Sequence, residues 1–197
     1  KKSVKESLQI LQKLDVKIKI ITGDSPEITR HVCREVKLNI AEDKIILGSE
    51  LEKVNPSVFN TLCNNYNIFA RVSPEQKLKI VKSLQEQGHV VGFVGDGIND
   101  APALHQADVG ISVNTASPVA KGTADIILLH KSLHVLSQGI REGRKTFGNI
   151  MKYIFNTVSA NFGNMFTIAI SSFFHRFIPL LPSQILLANF LTDFPML

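Results

Sequence analysis

Apolar and polar positions along this chain follow two rhythms, and the change between them divides it. Over 3–14 the apolar residues Val4, Leu8, Leu11 and Leu14 recur three or four apart, the spacing of one helical face. Five short runs rich in Val and Ile follow, at 16–21, 68–70, 90–94, 109–113 and 126–129, each flanked on at least one side by Gly, Asp or Asn. Short apolar runs between turn residues are the pattern of buried strands in a parallel sheet. Helical segments separate them at 27–36, 74–87 and 100–106, with a single turn at 119–122. The second of these carries Ser73 and Pro74 at its start and Gly88 at its stop, the usual punctuation of a helix. The segment 38–67 is less regular and reads as an insertion with a short helix over 56–64. Strands alternating with helices predict a parallel α/β sheet covered on both faces.

Near residue 132 the rhythm changes. Leu133, Leu136, Ile140 and Phe147 keep helical spacing, and Arg141, Arg144, Lys145 and Lys152 gather ahead of an apolar run. That run, 153–174, has no charged residue and approaches the ~20 residues that cross a bilayer. His175 and Arg176 close it, Pro179 and Pro182 mark a turn, and 177–192 is a second uncharged run. The pattern predicts a stalk helix over 132–152 and a transmembrane helical hairpin over 153–174 and 178–197. Basic residues before the first span place the α/β part, 1–131, on the cytoplasmic side. A helical hairpin buried in a large soluble protein is the competing reading, and the length and the basic flank favour the membrane.

Three strand ends carry candidate chemistry. The apolar run at 90–94 delivers Gly95-Asp96-Gly97 into a loop, with Asn99 or Asp100 starting the next helix. A carboxylate at the carboxyl end of a strand sits where open α/β sheets bind ligands. Asp96 and Asp100 together suit a hard cation such as Mg²⁺. At the end of the first run, Thr22-Gly23-Asp24 precedes Ser25-Pro26-Glu27, and a hydroxyl with free backbone N–H groups there can hold a phosphoryl oxygen. After the second run, Ser73-Pro74-Glu75-Gln76-Lys77 sets a lysine one turn into a helix. Taken singly, each has an ordinary reading as a capped helix start or a solvated lysine. Their order and spacing together are specific.

The string Gly95-Asp96-Gly97-Ile98-Asn99-Asp100-Ala101-Pro102-Ala103-Leu104 resembles the hinge motif of P-type cation-transporting ATPases, whose phosphorylation domain has the haloacid-dehalogenase fold, a Rossmann-type parallel sheet. The other two motifs stand in the order that family uses. The resemblance implies that Thr22 hydrogen-bonds a transferred phosphoryl group, Lys77 neutralises its charge and Asn99 orients it. It implies Asp96 as a Mg²⁺ ligand supported by Asp100, with Gly23, Asp24 and Arg71 at the nucleotide or the hinge, and so ATP and Mg²⁺ as cofactors. The family's nucleophile is the Asp of an Asp-Lys-Thr-Gly-Thr string, and no such string occurs here. Both ends look cut, so the nucleophile is expected upstream in a parent polypeptide, beyond a nucleotide-binding domain, and this piece alone is not expected to hydrolyse ATP.

The apolar runs are themselves polar in places. Asn156, Thr157, Ser159, Asn161, Asn164 and Thr167 are costly in lipid unless they face a bundle interior or an ion path. Asn189, Thr192 and Asp193 share a helical face at i, i+3 and i+4. Asn156 and Ser159 read as helix–helix hydrogen-bonding residues. Asn161, Asn164, Asn189, Thr192 and Asp193 read as an ion path. The segments 159–164 and 189–193 look like the ion-binding strings of the fifth and sixth membrane helices of P-type pumps, and 120–150 most resembles the magnesium-transporting branch. Calcium pumps carry a Glu where this chain has Asn164, which leaves Asp193 as the one acid among these candidates and leans towards Mg²⁺ over Ca²⁺.

The resulting expectation is part of an ATP-driven cation pump that forms an aspartyl phosphate, transporting Mg²⁺, with Ca²⁺ as the alternative ion. Its partners are ATP, the cation, the lipid bilayer and the rest of the same polypeptide: nucleotide-binding and actuator domains and further membrane helices. A soluble haloacid-dehalogenase-type phosphatase and a catalytically degenerate membrane homologue are the readings from other classes. Composition adds little. The 197 residues carry a net charge of +5, but the basic residues are scattered, without zinc-finger spacing or an RNA-recognition string, which argues against nucleic acid. Cys33 and Cys63 lack metal-ligand spacing and read as reduced thiols.

Overall fold

The computed structural model describes residues 2–35, 45–174 and 181–193. They form two compact units, Lys1–Gly139 and Ile140–Leu197. The first opens with α1 (Lys2–Lys13), whose Leu8 and Leu11 are buried as their spacing predicts. Then come β1 (Ile20–Ile21), α2 (Pro26–Glu35), β2 (Ile45–Leu47), α3 (Gly48–Leu51), α4 (Pro56–Asn65), β3 (Ile68–Ala70) and α5 (Pro74–Glu86). A second set follows: β4 (Gly92–Val94), α6 (Ala101–Gln106), β5 (Val109–Val113), α7 (Pro118–Thr123) and β6 (Ile126–Leu128).

All strand pairs are parallel, as expected, but they form two three-stranded sheets instead of one. The first has the order β1-β3-β2, with Ile20 opposite Ile68 and Ile45 opposite the same residue on the other side. The second has the order β4-β5-β6, with Phe93 opposite Gly110 and Ser112 opposite Ile127. β1 is two residues long where 16–21 was expected. Just before it, the Lys19 ammonium donates to the carbonyls of Asn64 and Tyr66, 3.0 and 2.7 Å away. The reading of 38–67 as an insertion is corrected for its described part: β2 is an edge strand of the first sheet. Three apolar residues are too few to show a period, so pairing with β3 reveals the strand and the sequence does not.

The two sheets share α5. Ile80 and Leu84 pack with Phe69, Ile46 and Cys63 under the first sheet, while Val81 packs with Phe93, Leu104 and Ala103 under the second. Ile21 and Val91 touch both clusters. One helix wedged into two cores therefore fixes the ends of β1 and β4 against a common support. Phe69 and Ile80 are fully buried, each stabilising the fold by roughly 1.5–3 kcal/mol through lost apolar exposure. Cys33 and Cys63 are buried free thiols, and burial pushes both up from the usual cysteine range.

Downstream, α8 (Leu133–Phe174) is one continuous helix of 42 residues that runs through the expected stalk and the first apolar run. α9 (Pro182–Asp193) follows. Among the described residues no helix is long and apolar enough to cross a membrane. α8 has the length, but Asn156, Asn161 and Asn164 interrupt its apolar half, and α9 has 12 residues. Apolarity by itself thus does not carry the expected transmembrane hairpin. The turn expected at Pro179 and the end of the second run at 194–197 lie outside the described residues.

Candidate functional site

β1 leads into Thr22, whose hydroxyl does two jobs. It donates to Asp24 Oδ2 at 3.0 Å and accepts from the Asp24 N–H at 3.1 Å, closing the Thr22-Gly23-Asp24 turn on itself. Backbone bonds strap this turn to the one that follows β3. Val72 N–H donates to Thr22 C=O at 3.1 Å and Arg71 N–H to Asp24 C=O at 3.0 Å. Arg71 takes a left-handed φ of 51°, unusual for a residue with a side chain. Beyond it, Ser73 and Gln76 form a capping box that starts α5. Ser73 Oγ accepts from Gln76 N–H at 3.3 Å, and Gln76 Oε1 accepts from Ser73 N–H at 2.9 Å. Pro74 fills the first turn.

That start aims Lys77. Its ammonium lies 2.7 Å from Asp100 Oδ1, with only 15% and 13% of the two side chains exposed. The other Asp100 oxygen accepts from Gly97 N–H at 3.1 Å. Asp100 stands at the N-cap of α6, where a helix start was expected; its carboxylate makes no bond to that helix and turns back to brace the loop. Gly95 is needed for the same reason. A Cβ there would lie 2.7 Å from the Asp100 Cβ, so its role is to admit Asp100 and not to supply a positive φ. The buried Ser112 hydroxyl donates to Gly95 C=O at 2.9 Å, and Ser117 N–H donates to Asp96 C=O at 3.0 Å, which holds the loop from the β5 side.

Asp96 stands more open, with 55% of its side chain exposed. Lys131 donates to its Oδ2 at 2.8 Å. That hydrogen bond and the charge of Lys131, with a weaker pull from Lys77, hold the Asp96 carboxyl below the usual carboxylate range. Asn99 is exposed beside the loop, as are Gly23, Asp24 and Arg71 on theirs. Glu27, on the first turn of α2, is also held low by a hydrogen bond from Ser25. Among the described residues, no group of three or more His, Cys, Asp or Glu is placed to hold a metal. Two carboxylates on one loop nevertheless match Mg²⁺, which is bound through one or two carboxylates and keeps several waters. The lysine ammonium on Asp96 stands where a cation would.

Thus Thr22, Lys77, Asp96 and Asp100, spread over 79 positions of sequence, are linked through consecutive backbone and side-chain contacts at one end of the unit. Lys131 and Ser112 were missed. Nothing local in the sequence marks Lys131 as a partner of a residue 35 positions earlier; only the fold does. In the second unit, Asn164 Nδ2 donates to Asn189 Oδ1 at 3.3 Å, so two residues of the expected ion path meet across α8 and α9. Asn161 is exposed, and the side chains of Thr192 and Asp193 lie outside what is described.

Comparison with known proteins identifies the family. The profile of haloacid dehalogenase-like hydrolases matches residues 1–108. The chain is 46% identical to the P-type magnesium-transporting ATPase 1 of Escherichia coli K12 over 98% of its own length and 21% of that protein's. It is 38% identical to calcium-transporting ATPase 1 of Bacillus cereus, over 96% of its length and 22% of the relative's. Among solved structures, a zinc-transporting PIB-type ATPase in the E2.Pi state matches with a TM-score of 0.65 and 27% identity, covering 97% of this chain and 25% of that one. The chain therefore spans about a fifth of the length of the curated relatives it matches.

Proposed function

The chain belongs to the haloacid dehalogenase-like hydrolases, and from that premise we propose that it serves as the C-terminal part of the phosphorylation domain of a P-type cation pump, with a membrane-embedded helical pair after it. The observation that carries this reading is the Lys77–Asp100 pair at 2.7 Å, which joins two strand-end motifs into one site beside Asp96. In this reading 1–131 is the phosphorylation-domain part, 132–152 the stalk, and 153–174 and 178–197 the fifth-like and sixth-like membrane helices. The phosphorylation-domain part faces the cytoplasm. Nucleotide-binding and actuator domains and an Asp-Lys-Thr-Gly-Thr nucleophile belong to the remainder of the polypeptide.

The roles rest on the family resemblance, and position supports them. Thr22 offers its hydroxyl to a phosphoryl oxygen once that hydroxyl leaves Asp24. Lys77, held by α5 and braced by Asp100, presents fixed positive charge where negative charge develops, and preorganised charge is the main resource of phosphoryl transfer. Asp96 and Asp100 would hold Mg²⁺, which would supply charge neutralisation to the phosphate. Asn99 orients the phosphate, and Gly23, Asp24 and Arg71 line the approach of ATP. Asn161, Asn164, Asn189, Thr192 and Asp193 offer oxygens to the transported cation. Likeness to magnesium-transporting relatives at 46%, against 38% for a calcium-transporting one, favours Mg²⁺ as that cation.

The test is acid-stable phosphoenzyme from labelled ATP in the membrane-bound parent, with Mg²⁺ and Ca²⁺ varied and Asp193→Asn alongside. Phosphoenzyme whose ion response shifts in the variant supports the pump, and the responding ion names the cargo. If no phosphoenzyme forms under either ion although the upstream Asp is present, the pump reading fails and a degenerate homologue replaces it. Lys77→Ala is expected to slow phosphorylation about 10²–10³-fold, the usual loss for one preorganised charge.

A further inference from the structure

Lys131 has no part in the roles above, yet it is the cation in contact with Asp96. Its ammonium lies 2.8 Å from Asp96 Oδ2, and 71% of the lysine side chain is exposed. The two ammonium groups at this loop are held very differently. Lys77 is largely buried on Asp100, whereas the Lys131 pair is open to water, and exposed pairs are weak enough to be displaced. The ammonium on Oδ2 offsets the carboxylate charge that would attract a cation, so the two compete for Asp96. Lys131 also has somewhere to go. It and Asp96 stand at the rim of an open, largely apolar cavity of about 540 Å³, so a displaced ammonium turns outwards to water. The backbone beside it is a tight bend, Ser132 N–H to His130 C=O at 2.8 Å, immediately before α8.

We propose that Lys131 is a built-in competitor of Mg²⁺ for Asp96: it holds the carboxylate while the metal is away and swings out into water when the metal arrives. Lys131 is thus a positioning residue that sets metal affinity. The inference rests on the reading of Asp96 as a metal ligand. Without metal, the loop's two carboxylates face two ammonium groups and balance. Adding a divalent cation leaves an excess of positive charge unless one ammonium retreats, and the exposed one is Lys131.

The test is titration of Mn²⁺, as a spectroscopic probe for Mg²⁺, into the complete protein by electron paramagnetic resonance. Wild type, Lys131→Met, Lys131→Arg and Asp96→Asn are compared, with Mg²⁺ competition read in each. Lys131→Met should bind Mn²⁺ about two- to fivefold more tightly, the range set by an exposed ion pair, and added salt should narrow the gap. Lys131→Arg, which keeps the charge, should bind no more tightly than wild type, and Asp96→Asn should bind far more weakly. Unchanged or weaker binding in Lys131→Met, with binding lost in Asp96→Asn, overturns the competitor and leaves the metal site standing. Unchanged binding in Asp96→Asn removes the metal site and the competitor with it. Lys131 is exposed, so its variants keep the fold, and circular dichroism checks this.

Discussion

Gly95 and Asp100 behave as one unit. Gly95→Ala would set a Cβ 2.7 Å from the Asp100 Cβ, and Asp100 cannot retreat without leaving Lys77 and the Gly97 N–H. We expect a loss of about 1–3 kcal/mol in urea denaturation, the usual range for overpacking, together with weaker Mn²⁺ binding. Gly97→Ala meets its nearest atom at 3.3 Å and should be milder, so equal losses at the two positions would contradict this account. The thiols give a pH-dependent expectation. Burial raises Cys33 and Cys63, which keeps both protonated in the folded state. Their contribution to stability is present below the unfolded thiol value of about 8.5 and declines as pH climbs from there towards the folded values. Stability at alkaline pH should therefore fall less steeply in Cys63→Ala than in wild type. A chromogenic thiol reagent should label both cysteines only after unfolding, and rapid labelling of the native protein would contradict their burial.

At the scale of elements, α5 shows most plainly how sequence becomes site. Ser73, Pro74 and Gly88 mark its ends in the sequence, and the structure adds a Gly88 φ of 81° and the full capping box. Gln76 does more than the motif suggests. It is buried, and its amide donates to Gly48 C=O at 2.9 Å and Glu52 Oε1 at 3.0 Å, tying α5 to the start of α3. Ser73→Ala should cost about 1 kcal/mol, the worth of one cap. Gln76→Leu should cost more, about 1–3 kcal/mol, because it strips a partner from the Gly48 carbonyl in a buried setting. Urea titration ranks the two, and a larger loss in Ser73→Ala would place the strength of this junction in the cap instead. β2 and the shortness of β1 were illegible for the opposite reason. Both are defined by pairing with β3, and neither leaves a periodic trace.

Over the whole molecule, the two units have opposite surfaces. The first buries a conventional core, while in the second Phe155, Phe162, Met165, Phe166, Leu186 and Phe190 are more than half exposed. Apolar side chains in that number need a cover, and a bilayer or neighbouring membrane helices supply it in the proposed pump. The full chain should therefore float with lipid vesicles in a density gradient, and a version ending at Gly139 should stay in the aqueous fraction. Flotation of the shortened version, or none of the full one, would contradict the division. Asn164→Leu should weaken the association of α8 with α9, since it removes the 3.3 Å bond to Asn189 from an otherwise apolar setting.

Sequence alone was enough for the parallel α/β class, the three strand-end motifs in their order and most helix boundaries. These depend on hydrophobic period, capping residues and turn residues that act within a few positions of one another. It was enough too for the switch in character after 132, which is a matter of local composition. Only the tertiary structure decided that the strands form two sheets, that one helix supports both, and that Asp100 braces its own loop through Gly97 and Lys77. It alone paired Lys131 with Asp96 across 35 residues. Such contacts join residues that no local period or spacing relates, so they exist only once the chain has closed on itself.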